Sequence, residues 1–127
     1  MKNAGNPKPT AAELTILNVL WTQGPATVRE VHNALPDQKT GYTTVLKLLQ
    51  IMLEKGLVKR DSSSRAHIYD SAFQAEDVQT QLVENLLTDA FQGSAKNLIL
   101  RALSVKPSSA EELAEIRKLI DKLDEES

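Results

Sequence analysis

Helix starts can be located along this chain because hydroxyl residues recur three positions before an acidic or amide side chain. In such a capping box the hydroxyl accepts a hydrogen bond from the backbone at the third helical position, and the later side chain accepts one in return. The pairs are Thr10 with Glu13, Thr27 with Glu30, Ser71 with Gln74 and Ser108 with Glu111. Glycine and proline fall almost entirely between these stretches, so they end short helices rather than interrupt long ones. The chain is therefore expected to fold into a series of short helices.

In the first half, apolar residues recur at helical spacing on one face of three predicted helices. The first helix follows Thr10, the second follows Thr27, and the third runs from Tyr42 to Lys55. Their apolar residues are Leu14, Leu17, Leu20 and Trp21, then Val28, Val31 and Leu35, then Val45, Leu48, Leu49, Met52 and Leu53. We expect these side chains to form one shared core, with Trp21 its largest member.

Two short segments after the third helix, 57–61 and 66–70, are rich in residues that favour strands. Residues 62–65 join them. Because the joining segment has no Asn-Gly or Asp-Gly pair, a longer flexible loop is favoured over a two-residue turn. Three helices followed by a β-hairpin predict a winged helix-turn-helix domain over residues 1–72, in which the hairpin is the wing.

Residues 73–127 show helical spacing throughout and make the fold mainly α. The predicted helices begin at Ser71, at Ser94 and at Ser108, and the middle one ends at Leu103. In the last helix the apolar positions follow the spacing 3, 4, 3, which is typical of a coiled-coil seam. These positions are Leu113, Ile116, Ile120 and Leu123.

The apolar surface of these 55 residues is too large for three short helices to bury alone. We therefore expect residues 73–127 to be a homodimerisation region, since DNA-binding proteins of this size commonly pair to reach two half-sites. The candidate contact residues are Leu98, Ile99, Leu113, Ile116 and Ile120. The alternative is that the helices pack on the first domain of the same chain.

The net charge of the chain changes sign at the same boundary, between residues 72 and 73. Residues 1–72 hold nine basic and six acidic groups, a net +3, whereas residues 73–127 hold six basic and eleven acidic groups, a net −5. This division is typical of a mildly basic N-terminal module that binds a polyanion, followed by an acidic helical module whose surface is solvated. An acidic solvated surface without that function is the alternative.

Several classes of function are disfavoured by composition. The chain has no cysteine, so it has no disulfide framework or thiolate metal site, and the isolated His32 and His67 cannot form a zinc site alone. We expect no cofactor and no bound metal. No Ser-His-Asp set or glycine-rich phosphate loop points to an enzyme. No apolar run has membrane-spanning length and residues 1–10 lack the apolar core of a secretory signal, so a cytoplasmic protein is expected.

The start of the third predicted helix is the candidate DNA-recognition surface. Threonine exchanges hydrogen bonds with base edges and touches the thymine methyl group, and lysine reaches guanine or phosphate. Arginine in a wing meets the sugar-phosphate backbone or the minor groove. The candidate DNA contacts are Tyr42, Thr43, Thr44, Lys47, Arg60 and Arg65, with Lys59 beside the wing loop and Arg29 and Lys39 on the approach. A solvated polar face is the alternative, and His67 is either a phosphate contact or an ordinary strand residue.

Four stretches of the chain resemble the penicillinase-repressor family of winged-helix regulators over about residues 9–125. They are the run from Thr10 to Trp21, Thr27 to Val31, Gly41 to Val58, and Arg65 to Tyr69. The most specific parts are Tyr-Thr-Thr-Val at the start of the third helix and Glu-Lys-Gly-Leu-Val at its exit.

The resemblance implies a dimeric repressor of palindromic operators whose DNA contacts map onto Thr43, Thr44, Lys47 and Arg65. Copper-responsive members carry C-terminal cysteine pairs, and without cysteine this chain cannot sense copper that way. Members that respond to β-lactams are cut at an Asn-Phe bond, where this chain has Arg101-Ala102. The resemblance thus leaves open a membrane-bound sensor protease of different specificity that cuts there and weakens the dimer.

The function expected from the sequence is therefore a homodimeric transcriptional repressor that binds a palindromic operator in double-stranded DNA. The alternative is a winged-helix protein-interaction module without sequence-specific DNA binding, because a fold alone does not decide function.

Overall fold

A computed structural model describes residues 8–127. The expectation that the N-terminus is not a secretory signal rests mainly on residues 1–7, which lie outside the described residues. The elements follow in the order α1 (Ala11–Gln23), α2 (Val28–Ala34), α3 (Tyr42–Lys55), β1 (Val58–Asp61), β2 (Ile68–Ser71), α4 (Ala75–Asp89), α5 (Ala95–Val105) and α6 (Ala110–Glu126). Contacts divide the chain into two compact units, Met1–Thr80 and Gln81–Ser127. The mainly α fold with a winged helix-turn-helix arrangement is confirmed.

The capping boxes predicted for α1 and α2 are formed. Thr10 and Thr27 each accept a hydrogen bond from the backbone N–H of the glutamate three residues later, at 3.2 Å in both helices. Each glutamate in turn accepts one from the backbone N–H of its threonine, at 2.8 Å for Thr10 and 2.9 Å for Thr27. Both helices therefore begin where the sequence places them.

The helix starts predicted at Ser71 and Ser108 are wrong. Ser71 is the last residue of β2, and α4 begins after Gln74, whose carbonyl accepts from the N–H groups of Asp77 and Val78. The box of α6 uses Ser109 with Glu112 instead of the preceding pair. Because Ser108 and Ser109 each precede a glutamate by three residues, the motif alone fits both positions.

The core of the first unit lies where α1, α2, α3 and the hairpin meet. Its buried members are Ile16, Leu17, Val19, Leu20, Ala26, Val28, Val31, Leu35, Val45, Leu49, Met52, Leu57, Val58 and Tyr69. The expectation that Trp21 is the largest core member is wrong, since it packs against the core only partly buried. Its indole Nε1–H donates instead to Ser71 Oγ and to the Phe73 carbonyl, each at 3.0 Å. The largest buried side chain is Tyr69.

Strand β2 attaches the two-stranded wing to the helical part of the unit. β1 and β2 pair antiparallel, with Val58 opposite Ser71 and Asp61 opposite Ile68, and the loop 62–67 joins them. On its other side, β2 pairs through Tyr69 with Ala26, which lies between α1 and α2. The Ala26 N–H donates to the Tyr69 carbonyl at 2.9 Å, and the Tyr69 N–H donates back at 2.8 Å. The wing is thereby held against the segment that precedes α2.

An ion pair with a buried carboxylate and an exposed lysine joins the start of α1 to the end of α3. Glu13 is only 2% exposed, and the Lys55 ammonium donates to its two oxygens at 2.9 and 2.8 Å. Every buried side-chain polar atom among residues 8–127 has a hydrogen-bond partner. Because an unpaired buried carboxylate is costly, Lys55 fixes the position of α3 relative to α1.

We expect Lys55→Met to lower the free energy of unfolding by about 1–3 kcal/mol at neutral pH, because Glu13 stays buried without its cation. Urea unfolding followed by circular dichroism measures the loss. Lys39→Met is the matched control, since Lys39 is an exposed lysine of the same unit. Equal stability of the two variants would contradict the role assigned to the pair.

The same difference should depend on pH. Burial raises the pKa of Glu13, but hydrogen bonds from Lys55 and Thr10 outweigh burial and hold the pKa below its ordinary value of about 4.3. A carboxylate with a lowered folded-state pKa contributes stability above the ordinary pKa, and that contribution is lost as the pH falls through the folded-state value. The gap between wild type and Lys55→Met should thus be full well above the ordinary pKa of a glutamate and should close as the pH falls through the lowered folded-state pKa of Glu13. A constant gap across this range would contradict the ionic role.

Candidate nucleic-acid interface

The start of α3 differs from the starts of α1, α2, α5 and α6 in how it is capped. Side chains of Thr10, Thr27, Ser94 and Ser109 cap α1, α2, α5 and α6, whereas the N-cap of α3 is Gly41, which makes no side-chain cap hydrogen bond. The N–H groups of a helix's first turn have no partner within the helix and favour an anion such as phosphate. No side chain of the cap therefore competes with a ligand there.

The two faces of α3 separate as the sequence predicts. Val45, Leu49 and Met52 are fully buried, with 0% exposure. All four residues assigned to the recognition face are exposed, namely Tyr42, Thr43, Thr44 and Lys47. The helix thus presents short hydroxyl side chains and one cation beside its uncapped start.

Tyr42 is held at the start of α3 by two side chains of α2. The guanidinium carbon of Arg29 lies 5.5 Å from the centre of the Tyr42 ring, within cation–π range. The His32 ring meets the same tyrosine edge to face at 6.1 Å between centroids. His32 is itself fixed, because its Nε2–H donates to the Thr40 carbonyl at 2.8 Å. Contacts with Arg29 and His32 thereby hold the Tyr42 ring in place, although the side chain is exposed.

The wing loop 62–67 is exposed along its whole length, and Lys59, Arg60 and Arg65 are exposed as well. Sequence reasoning did not assign Asp61, whose carboxylate turns back on the loop and accepts from the Ser63 N–H at 2.9 Å. That hydrogen bond holds the pKa of Asp61 below its usual range. A hydrogen bond therefore fixes the turn of the wing loop, and the cations beside it are exposed for contact with a sugar-phosphate backbone.

A groove of about 460 Å³ lies between the start of α2, the first turns of α3 and the wing. It brings together two of the predicted contacts, Tyr42 and Arg65, with Arg29 and His67. Thr43, Thr44, Lys47 and Arg60 lie outside its lining. The remaining lining residues are Thr27, Val28, Leu46, Ala66 and Tyr69. Sequence reasoning missed Leu46 and Tyr69, although Leu46 lies one helical turn after Tyr42 and so shares its side of the helix.

The second unit leaves most of its apolar side chains in contact with solvent. No residue of α5 or α6 is buried. Of the predicted dimer contacts, Ile99 is 48% and Ile120 is 53% exposed, whereas Leu98, Leu113 and Ile116 are partly buried. Further exposed apolar residues are Val83, Leu86, Leu100, Val105, Leu119 and Leu123.

The predicted cleavage position lies inside a helix. Arg101 and Ala102 are both exposed and fall within α5. A peptide bond in a helix has to leave its hydrogen-bonded conformation before a protease can hold it extended, so cleavage would follow local opening of α5.

A family model described as penicillinase repressor matches residues 9–122. The chain belongs to the penicillinase repressor family. The transcriptional regulator BlaI of Mycobacterium tuberculosis is 29% identical over 114 residues, which make up 88% of this chain and 82% of that protein. The methicillin resistance regulatory protein MecI of Staphylococcus aureus is 21% identical, over 89% of this chain and 93% of that protein.

Solved structures similar to this penicillinase repressor family member show the same fold. A MarR family protein from Bacillus stearothermophilus superposes with a TM-score of 0.54 at 21% identity, over 95% of this chain and 76% of that one. A transcriptional regulator from Thermotoga maritima gives a TM-score of 0.53 at 20% identity, over 93% and 78%. The chain is thus a member of a family of transcriptional repressors and has a winged-helix DNA-binding fold.

Two further findings concern residues 8–127 of this family member. None of their helices is both long enough and apolar enough to span a lipid bilayer. The same residues contain no group of three or more His, Asp or Glu side chains placed to hold a metal ion.

Proposed function

We propose that this chain is a homodimeric transcriptional repressor that binds a palindromic operator in double-stranded DNA. The observation that carries the proposal is the surface formed by the start of α3 and the wing. There an uncapped helix start, a row of hydroxyl side chains and several cations face solvent together. Helix-turn-helix proteins place the start of their recognition helix in the major groove, and Thr and Lys are side chains that read base edges there.

In this proposal the roles divide among the exposed residues of the first unit. Thr43, Thr44 and Lys47 contact base edges, and Tyr42 contacts a phosphate near the helix start. Arg60 and Arg65 contact the sugar-phosphate backbone from the wing. Residues 1–72 then form the DNA-binding domain and residues 73–127 the dimerisation domain. A DNA target also implies that the protein works in the cytoplasm.

Sequence-specific binding is tested with a labelled duplex carrying a palindromic sequence selected from the DNA upstream of the protein's own gene. Fluorescence anisotropy at several salt concentrations should give tighter binding to this duplex than to a scrambled one, and affinity for both should fall as salt rises. Equal affinity for the two duplexes would refute sequence-specific repression. No binding to either would favour a protein-interaction module.

Lys47→Ala should cost about 1–3 kcal/mol of binding free energy on the palindromic duplex if Lys47 reads a base edge. The scrambled duplex should then be much less affected. The matched control is Lys118→Ala, which removes an exposed lysine of α6. A nearly uniform loss on both duplexes would make Lys47 a phosphate contact, and no loss would remove it from the interface.

We propose that the exposed apolar residues of the second unit form the interface of the homodimer. A helix buries its apolar side only against another surface, and within one chain no residue of α5 or α6 is buried. The contacts proposed for the interface are Leu98, Ile99, Leu113, Ile116 and Ile120.

Ile120→Lys should raise the dimer dissociation constant at least tenfold, roughly the effect of losing 1.4 kcal/mol, because it places a charge in the proposed interface. Analytical ultracentrifugation measures this constant directly. Lys118→Glu is the control, since this residue lies about 200° around α6 from Ile120 and also changes a charge. A dimer unaffected by Ile120→Lys would contradict the assigned interface.

We also propose that a membrane-bound sensor protease releases the operator by cutting between Arg101 and Ala102. Such a cut separates α6, and with it three of the five proposed dimer contacts, from the winged-helix unit.

A recognition site for a sequence-specific protease, inserted between Arg101 and Ala102 and cut after purification, tests this release. Operator affinity should fall at least tenfold on cutting, a loss of about 1.4 kcal/mol. The same site placed after Ser127 is the control and should leave affinity unchanged when cut. Cut protein that keeps full affinity would exclude proteolysis at this bond as the release mechanism.

A further inference from the structure

The groove between α2, α3 and the wing has the volume of a small-molecule site. Its volume of about 460 Å³ lies within the range of about 300–1,000 Å³ typical of ligand pockets. Three separate elements supply its walls: Thr27 to Arg29 at the start of α2, Tyr42 and Leu46 on α3, and, on the wing side, Arg65, Ala66, His67 and Tyr69. A groove built from three elements offers contacts from several directions.

The groove lining contains basic but no acidic side chains. Two arginines, Arg29 and Arg65, line it, and none of its lining residues is acidic, although the whole chain has a net charge of −2. Arg29 is held in place by its contact with the Tyr42 ring. Arginine presents a planar fork of N–H donors that matches a carboxylate.

Apart from Thr27, the rest of the lining is apolar or aromatic. Leu46 and Ala66 contribute accessible aliphatic surface, and the exposed rings of Tyr42 and His67 contribute flat surface, whereas Val28 and Tyr69 are buried. A hydrated inorganic anion gains little from such walls and loses part of its hydration against them. An aromatic ring gains from both burial and stacking.

We propose that this groove binds a small aromatic carboxylate. The carboxylate pairs with Arg65 and Arg29, and the ring lies against the aliphatic and aromatic lining. Neither half of such a ligand is left without a partner, whereas a neutral ring lacks the charge and a free phosphate lacks the ring.

The site has a regulatory consequence that rests on the proposed function. Tyr42 and Arg65 are assigned to DNA contact and also line the groove, so a bound ligand and the operator compete for the same side chains. Binding of either one then weakens the other by the same factor, as thermodynamic linkage requires. The ligand acts as an inducer without any cut in the chain.

Binding is tested first on the full chain without DNA. Benzoate is the probe, titrated into ¹⁵N-labelled protein and followed by amide chemical shifts, with benzyl alcohol and inorganic phosphate as comparison ligands at matched ionic strength. Benzoate should shift the amides of Leu46, Ala66 and His67 in a saturable way, and the other two should bind at least tenfold more weakly. Phosphate or benzyl alcohol binding as well as benzoate would overturn the proposal, as would benzoate shifts confined to other regions.

Two arginine variants locate the charge contact. Arg65→Gln should weaken benzoate binding about tenfold, which corresponds to the loss of one charge-assisted hydrogen bond. Arg117→Gln, on exposed α6, makes the same chemical change outside the groove and should alter affinity less than about twofold. Arg29→Gln serves as a second groove variant if Arg65→Gln disturbs the dispersion of the spectrum. Equal benzoate affinity in both groove variants and the Arg117 control would refute the site.

Competition is tested second, with the operator duplex in benzoate against the same concentration of sodium chloride. Weaker duplex binding in benzoate supports the inducing role, and equal binding refutes it. The two hypotheses fail separately: a chain that binds benzoate in the groove but no duplex refutes the repressor proposal, whereas one that binds the duplex but no benzoate refutes the ligand site.

Discussion

The carboxylate of Glu13 is the contact on which the arrangement of the winged-helix unit depends. One side chain does two things at once: it closes the capping box of α1 through the Thr10 N–H, and it takes both charge-assisted hydrogen bonds of Lys55 at the end of α3. A buried charge without these donors would cost more than most single contacts contribute. The last turn of α3 is therefore fixed by an ion pair that has no part in the proposed DNA-binding surface.

At its first turn, α3 is flanked by side chains of α2 and by the wing. Arg29 and His32 from α2 position the Tyr42 ring, and the Ala26–Tyr69 pairing draws the wing towards the same place. These contacts leave a groove with open space instead of a packed seam. A helix that is fixed at its last turn and borders an open groove at its first turn is suited to binding a partner at the first turn.

Sequence reasoning located local structure well and distant contacts poorly. The bounds of α3 match the predicted Tyr42 to Lys55, because alternation of apolar and polar faces and a terminal Gly56 in the left-handed conformation define a helix from nearby residues alone. Ser71 was misassigned because its hydroxyl can cap a helix or, as here, accept from Trp21, a residue 50 positions away. The same holds for the Glu13–Lys55 pair, the Ala26–Tyr69 bridge and the groove, which depend on segments that only the fold brings together. For the candidate interface, exposure on α3 followed from the spacing, whereas the joining of Arg29, Tyr42 and Arg65 did not.

The pairing of Glu13 with Lys55 also limits how the sequence can evolve. Neither residue can be exchanged alone without leaving either a buried charge or an unmatched cation, so an exchange for an apolar pair has to pass through a less stable intermediate or change both residues together. Selection on fold stability thus constrains a lysine at the end of α3, the helix proposed to contact DNA, for a reason unrelated to DNA. Charge near a nucleic-acid surface can persist in a lineage for reasons that concern the protein interior.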